Sequence, residues 1–426
     1  MDGSNKALNF LRKYMMLIVT VFVVIAFYFI TGGKTLNPDN IDALISQNAY
    51  VFILGTGMLL CILTGGNIDL SVGSVVCLAG GVGAIILSAL SKTFPMLQWW
   101  PVTVLAMLIM GLIVGIWHGF WIAYVKVPPF IATLVGMLAF RGLANIIMQG
   151  KDVMVEDQTY LDLFGGGDSC YVPDLFEKVG PELVINGNSL NKTCIFFVLL
   201  FTVVYVLYTF INRIRLIRQG YKVDNLVVVI IKTVLIAAVV LWFGYKLSCY
   251  RGIPTALIWI GLILGLFAYI TTKTTLGRNL YAIGGNEKAT RLSGIDTRKV
   301  MFSAYALMGI LSGFAAIMVI ARGKKAGPTI GDGYEMDAIA ACFIGGASAY
   351  GGTGSIGGVI IGAALMGIIN QGMSIANTPV NYQKVVKGIV LIIAVLFDVI
   401  MQMRRKGGKK KKAAQVAAVQ EGGAKA

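Results

Sequence analysis

The chain has 426 residues, of which 57% are hydrophobic and only 13% are charged, and its formal net charge is +16. Soluble globular proteins carry about 25% charged residues, so this composition excludes an ordinary soluble enzyme. The basic residues lie between apolar runs and not along one polar face, which argues against a nucleic-acid partner.

Apolar runs that are long enough to cross a membrane recur along the chain. A helix rises about 1.5 Å per residue, so about 20 apolar residues cross a hydrocarbon core of about 30 Å. We therefore predict an all-α integral membrane protein, a polytopic helical bundle of about twelve spans that include broken or re-entrant segments. The predicted spans are approximately 14–31, 49–64, 71–91, 101–125, 130–149, 194–211, 226–246, 255–272, 300–321, 336–350, 356–374 and 383–402.

Two stretches interrupt the apolar pattern. One is 65–71, between the second and third spans, and the other includes Gly345, Gly346 and the glycine-rich run 351–358. Irregular backbone is tolerated at membrane depth only where protein or a water-filled cavity surrounds it. Two such breaks in different parts of a chain point to a transport pathway.

The distribution of Lys and Arg predicts the orientation. These residues are more numerous in 1–13, at 126, and in 213–222, 273–299 and 404–425 than in the other connecting segments, which places both termini in the cytoplasm. The cluster 322–325 falls on the wrong side of this scheme. The predicted organisation is a transmembrane domain (1–406) with an extracytoplasmic loop insertion (151–192) and a cytoplasmic loop (273–299), followed by a disordered basic cytoplasmic tail (407–426).

The loop 273–299 is charged and too long for a tight turn. Asn286 is suited to cap a short helix, and Glu287 and Arg291 are four residues apart in the orientation that stabilises one. Such a helix, lying parallel to the membrane with Leu292 among its apolar members, could dock in a groove on a partner.

Long motifs in the chain resemble one family. They are LTGGNIDLSVGS (63–74), KVPPFIATL (126–134), GRNLYAIGGNEKATRLSGI (277–295) and YEMDAIAACFIGGASAYGGTGSIGG (334–358). Together they are similar to the permease subunits of bacterial ABC sugar importers, and most similar to the xylose and multiple-sugar branch.

The resemblance implies a permease in the bacterial inner membrane that has no catalytic residues, cofactor or metal. An extracytoplasmic sugar-binding protein delivers a monosaccharide, a second permease copy completes the pathway within the membrane lipid, and a cytoplasmic ATP-binding subunit drives transport. The chain contains no Gly-Lys-Ser or Gly-Lys-Thr of a Walker A motif, so ATP hydrolysis must come from that partner. The resemblance makes 273–299 the coupling loop, with Gly284, Gly285, Asn286, Glu287, Ala289, Thr290, Arg291 and Gly294 as its working residues.

Two sets of polar residues are candidates for the pathway. Asn67, Asp69 and Ser71 form a polar turn that either borders the pathway or is structural, with Asn67 and Asp69 capping the broken helix ends, and its position towards the cytoplasm favours the second role. Glu335 and Asp337 could accept hydrogen bonds from sugar hydroxyls, or could equally pair with Arg322 or Lys324.

Several alternatives remain open on the sequence. An ABC permease for a branched-chain amino acid or a nucleoside shares the scaffold, whereas a proton-coupled sugar carrier should show two similar halves and a proton-binding carboxylate. A sensory or scaffold protein would need no pathway. Cys170 and Cys194 are either bridged or free, His118 is expected to be a packing residue, and Lys384 and Lys387 are expected to snorkel to the membrane surface.

Overall fold

The computed structural model describes residues 18–93, 99–176, 184–185, 188–221, 223, 225–396 and 399, and almost all of their regular structure is helical. The helices are α1 (Ile18–Ile30), α2 (Pro38–Leu63), α3 (Val72–Thr93), α4 (Trp100–Gly119), α5 (Pro129–Ile147), α6 (Gln158–Phe164), α7 (Lys192–Arg218), α8 (Leu226–Ser248), α9 (Thr255–Lys273), α10 (Thr275–Gly285), α11 (Glu287–Leu292), α12 (Thr297–Gly323), α13 (Tyr334–Ile344), α14 (Ile356–Ile375) and α15 (380–396). The strands β1 (Val153–Met154) and β4 (Lys325–Ala326) pair antiparallel, as do β2 (Val184–Ile185) and β3 (Asn188–Ser189).

Each predicted span corresponds to a helix, and nine of the described helices are long and apolar enough to cross a membrane. The predicted start of the second span at 49 is wrong, because α2 begins at Pro38. The polar residues of its first three turns do not fit the apolar pattern that predicts a span, yet two of them, Asp42 and Asn48, are buried. The predicted tail 407–426 lies outside the described residues.

The centre of the bundle consists of α2, α3, α12 and α14, which are mostly buried, whereas α7 and α8 bury very few side chains. Glycines let α4 and α12 approach closely: a methyl group at Gly111 would overlap the carbonyl oxygen of Gly309, and one at Gly115 would overlap that of Tyr305. Small residues at such crossings allow the van der Waals packing that holds membrane helices together.

The bundle has two ends, which we name by the short helices at each. At the α6 end, the Tyr160 hydroxyl donates to the Ile317 carbonyl oxygen (2.8 Å) and the Trp259 indole to that of Leu163 (2.9 Å). Because α9 starts beside α6 and ends at Lys273, next to α10, the helices α10 and α11 lie at the opposite, α11 end.

The basic cluster 322–325 lies at the α6 end, where β4 pairs with β1. There the Lys325 ammonium forms an ion pair with the Asp152 carboxylate at 2.5 Å. All six cysteines are free, so the bridge between Cys170 and Cys194 does not form, and the Cys194 thiol donates to the Gly244 carbonyl oxygen (3.6 Å) instead.

Candidate functional site

The two broken regions of the sequence meet at the α11 end, where a methyl group at Gly66 would overlap the Ala349 carbonyl oxygen. Before α13, the non-helical segment 327–333 runs along the start of α3: the Cys77 thiol donates to the Gly327 carbonyl oxygen (3.6 Å), and a methyl group at Gly73 would overlap that of Gly331. The N-termini of α3 and α13 therefore lie side by side within the protein.

Arg141 of α5 satisfies the exposed backbone of this segment. Its guanidinium donates to the carbonyl oxygens of Pro328 (3.1 Å) and Ile330 (2.5 Å). Non-helical backbone inside a membrane protein needs such internal partners because no water is available to it.

The start of α3 is held by its own polar residues. The buried Asp69 carboxylate accepts hydrogen bonds from the Ser71 amide (2.9 Å) and hydroxyl (2.6 Å), and the Asn67 side chain donates to the Thr64 hydroxyl (3.0 Å). These contacts support the structural role predicted for Asn67 and Asp69 at the broken helix ends.

The start of α13 carries what we call the Asp337 cluster: Tyr50, Tyr334, Asp337, Asn370 and Lys387. The fully buried Asp337 carboxylate accepts from the Tyr50 hydroxyl (2.5 Å), the Lys387 ammonium (2.8 Å) and the Asn370 amide (3.2 Å). The rings of Tyr50 and Tyr334 stack with centroids 3.7 Å apart. One oxygen of Asp337 and the amide oxygen of Asn370 are buried with no hydrogen-bond partner among the described residues.

This cluster corrects two predictions. Asp337 pairs with Lys387 of α15, and not with Arg322 or Lys324. Lys387 does not snorkel, since its ammonium is paired with the buried Asp337 carboxylate, whereas the exposed Lys384 ammonium forms an ion pair with the exposed Asp332 carboxylate at 2.8 Å.

Glu335 differs from Asp337 in its surroundings. Its carboxylate lies against the Gly73 backbone at the start of α3, and the residue is only partly buried. A cleft of about 240 Å³ lies next to the stacked rings of Tyr50 and Tyr334, on their α6 side. Gln47 and Arg322 also line it.

At the α11 end, the predicted short helix is present as α11. The Asn286 side chain caps it by accepting from the Ala289 amide (3.1 Å), and Leu292 is 89% exposed. The structure has no ion pair between Glu287 and Arg291, contrary to the prediction, and the Glu287 carboxylate accepts from the Thr297 hydroxyl (3.5 Å) instead.

The other predicted loop residues divide into two groups. Thr290 is buried, and its hydroxyl donates to the Asn286 carbonyl oxygen (2.9 Å). Gly294 has a φ of +84°, which suits glycine just after a helix end. Ala289 and Gly285 are exposed.

Helix α10 is seated on the ends of both broken regions. A methyl group at Gly284 would overlap the Leu63 carbonyl oxygen and the Gly352 amide, which are themselves hydrogen-bonded to each other (3.2 Å). The Tyr281 hydroxyl donates to the Gly354 carbonyl oxygen (2.8 Å), and burial raises the pKa of Tyr281, which keeps it a neutral donor. One short helix thus contacts the end of α2 and the loop between α13 and α14.

A cavity of about 430 Å³ lies next to α11. It is lined by one of the predicted pathway residues and by two of the predicted coupling-loop residues. Asn67 lines it from the broken span, and Glu287 and Arg291 line it from α11. The structure does not bring Glu335 or Asp337 into this cavity.

The family model described as branched-chain amino acid transport system, permease component, matches residues 40–395. The chain belongs to this permease family.

Curated relatives are similar in sequence to almost the whole length of this permease. It is 36% identical over 393 residues to the xylose transport system permease protein XylH of Haemophilus influenzae, covering 92% of this chain and 97% of that one. It is 35% identical to XylH of Escherichia coli over 92% of this chain and 93% of that one. It is 31% identical to the ribose import permease protein RbsC of Escherichia coli over 89% of this chain and 92% of that one. No solved structure matches the permease.

Sequence reasoning missed most of the Asp337 cluster. Tyr50 and Asn370 lie in apolar helices far apart in the chain, and no local pattern links them to α13. The one available signal was Lys387, because a lysine within a span needs either a partner or a path to the surface.

Proposed function

We propose that this permease is the membrane subunit of an ATP-driven importer that carries a monosaccharide delivered by an extracytoplasmic binding protein. The observation that carries the proposal is the seating of α10 on both broken spans, with the exposed α11 beside it. The names of the relatives, which are xylose and ribose permeases, support a monosaccharide as the cargo.

The proposed coupling element is 273–299, on the cytoplasmic side. Leu292, almost wholly exposed on a polar helix, is suited to fill an apolar pocket on a cytoplasmic ATP-binding subunit. Asn286 and Gly294 define the two ends of α11. When the partner moves α11, the close contact of Gly284 with Leu63 and Gly352 transmits that movement to the broken spans as a rigid-body displacement.

The proposed pathway contact is Glu335. It stands at the joined N-termini of α3 and α13, beside the cleft over Tyr334, and its carboxylate can accept hydrogen bonds from sugar hydroxyls. Asn67, which follows α2 in the first broken region, is assigned to holding the end of that helix, because its side chain donates to the Thr64 hydroxyl (3.0 Å). We assign Asp69, Ser71 and Asp337 to holding the helix starts in place.

We further propose that two copies assemble in the bacterial inner membrane, with both termini in the cytoplasm and lipid around the apolar faces of α7 and α8. Those faces are the most exposed apolar surfaces of the long helices, as contact with acyl chains requires.

The test is uptake of radiolabelled xylose, galactose, ribose and leucine by cells with and without the gene, with ATP maintained and with or without a protonophore. We expect the deletion to abolish uptake of one or more of the sugars, with transport in the parent insensitive to the protonophore. Protonophore-sensitive uptake would show a secondary carrier, and loss of leucine uptake alone would replace the proposed cargo.

The same assay tests the coupling element. Replacing Glu287 and Arg291 together with Ala should leave membrane insertion intact and reduce uptake to the level of the deletion strain. Arg218→Ala, a change to an exposed cation at the same end on α7, serves as the control and should transport normally. Parental uptake by the double variant would refute the coupling assignment.

A further inference from the structure

The connection between α4 and α5, which contains the motif 126–134, has an unusual backbone. A π-helical turn (Phe120–Tyr124) follows α4 directly, and Lys126 has a φ of +67°, in the left-handed region that favours glycine. Pro128 and Pro129 then start α5. π-Helical turns and strained residues occur preferentially at functional sites, so this connection invites a functional explanation.

This connection forms one wall of the 430 Å³ cavity, and α11 with the start of α12 forms the other. Three cations line the cavity from the two walls: Lys126, Arg291 and Arg298. None of the three has an ion-pair partner among the described residues, and the one acidic group in the lining, Glu287, is hydrogen-bonded to Thr297. The cavity therefore carries an excess of positive charge.

We propose that this cavity receives an acidic side chain of the ATP-binding subunit, so that Lys126 forms a second contact with that subunit, separate from α11. The inference rests on the proposed function and names a docking element outside 273–299. Charge complementarity selects a carboxylate, because an anion placed between Lys126 and Arg298 would be attracted by both walls and would reduce the excess positive charge of the cavity.

Continuity with α11 selects a protein as the source of the anion. Leu292 stands exposed on the helix that forms the second wall, so a partner that covers Leu292 also reaches the cavity. Because Thr64 and Asn67 line the same cavity, the bound side chain would also contact the segment that follows α2.

The test uses the full-length permease in nanodiscs of zwitterionic phosphatidylcholine, which has no net charge, and the ATP-binding subunit of its own importer, with the Kd measured at low and high salt. The principal variant is Lys126→Gly, which removes the ammonium group while leaving a residue that adopts φ +67° without strain. Its thermal unfolding should match that of the parent, so a loss of binding is not a loss of folding.

We expect Lys126→Gly and Arg298→Gln each to weaken binding about tenfold and to reduce its dependence on salt. Lys126→Arg should retain parental affinity, and the control Arg218→Gln, at the same end on α7, should have no effect.

Parental affinity in Lys126→Gly would overturn the inference and leave the proposed function standing. A loss in Lys126→Gly that occurs only in nanodiscs containing anionic phosphatidylglycerol would also overturn it, because the cavity would then hold a lipid headgroup. Failure of the parent permease to bind the subunit would refute the proposed function itself.

Discussion

A buried charge pair connects α15 to the start of α13. The Asp337 side chain is fully buried and that of Lys387 is 17% exposed, with 2.8 Å between the carboxylate and the ammonium. Removing one partner of such a pair is costly because the other charge stays buried without compensation. Tyr50 and Asn370 add hydrogen bonds to the same carboxylate, so the pair holds three helices, α2, α14 and α15, against α13.

We predict that Lys387→Met destabilises the permease by about 3 kcal/mol. The double replacement Lys387→Met with Asp337→Asn should recover most of that loss, since it leaves no unpaired charge. Thermal unfolding of the purified proteins in detergent measures both. A single variant as stable as the parent would show that the pair contributes nothing.

At the scale of single elements, α10 is the link between the α11 end and the interior. It touches the end of α2 through Leu63 and the loop between α13 and α14 through Gly352 and Gly354. A displacement of α10 therefore acts on both broken regions at once. A close-packed contact transmits such a displacement because it cannot be compressed.

Neighbouring glycines allow a matched test of this link. A methyl group at Gly284 overlaps backbone atoms of Leu63 and Gly352, whereas one at Gly285 meets nothing within 4 Å. We predict that Gly284→Ala lowers uptake at least tenfold, because the clash separates α10 from both broken regions. Gly285→Ala, whose methyl group stays clear of both broken regions, should transport at the parental rate, contrary to the working role that the resemblance gave Gly285. Equal uptake by the two variants would refute the link.

At the scale of the whole molecule, two sets of elements mark opposite ends of the bundle. The α6 end holds the paired strands β1 and β4, and the α11 end holds α10 and α11. Lys and Arg are more numerous in the segments that the sequence assigns to the same side as 273–299, the two termini included, and the positive-inside rule supports the proposal that the α11 end faces the cytoplasm.

We predict that a membrane-impermeant maleimide labels Lys151→Cys in intact cells but labels Lys288→Cys only after permeabilisation. Both positions are exposed, and they lie at opposite ends. The parent chain is the control, since five of its six cysteines are buried. Labelling of Lys288→Cys from outside would invert the proposed orientation.

The sequence alone determined the class of protein, the positions of the spans and the cap of α11. These depend on local properties: apolar length, the charge of connecting segments, and Asn286 placed three residues before the amide that it caps. The long motifs indicated the family for the same reason, because each is a continuous stretch of chain. Even the start of α2 at Pro38 had a local signal, since proline favours the first turn of a helix.

Only the tertiary structure decided what the polar residues inside the membrane do. Whether Asp337 pairs with Arg322 or with Lys387 depends on how α13 packs against α15, and the chain separation between them carries no such information. The same holds for Arg141, which donates hydrogen bonds to carbonyl groups almost two hundred residues away, and for Gly284, which packs against the backbone of Leu63 and Gly352. A buried polar group must find a partner, and packing, not spacing in the chain, determines which partner lies within reach.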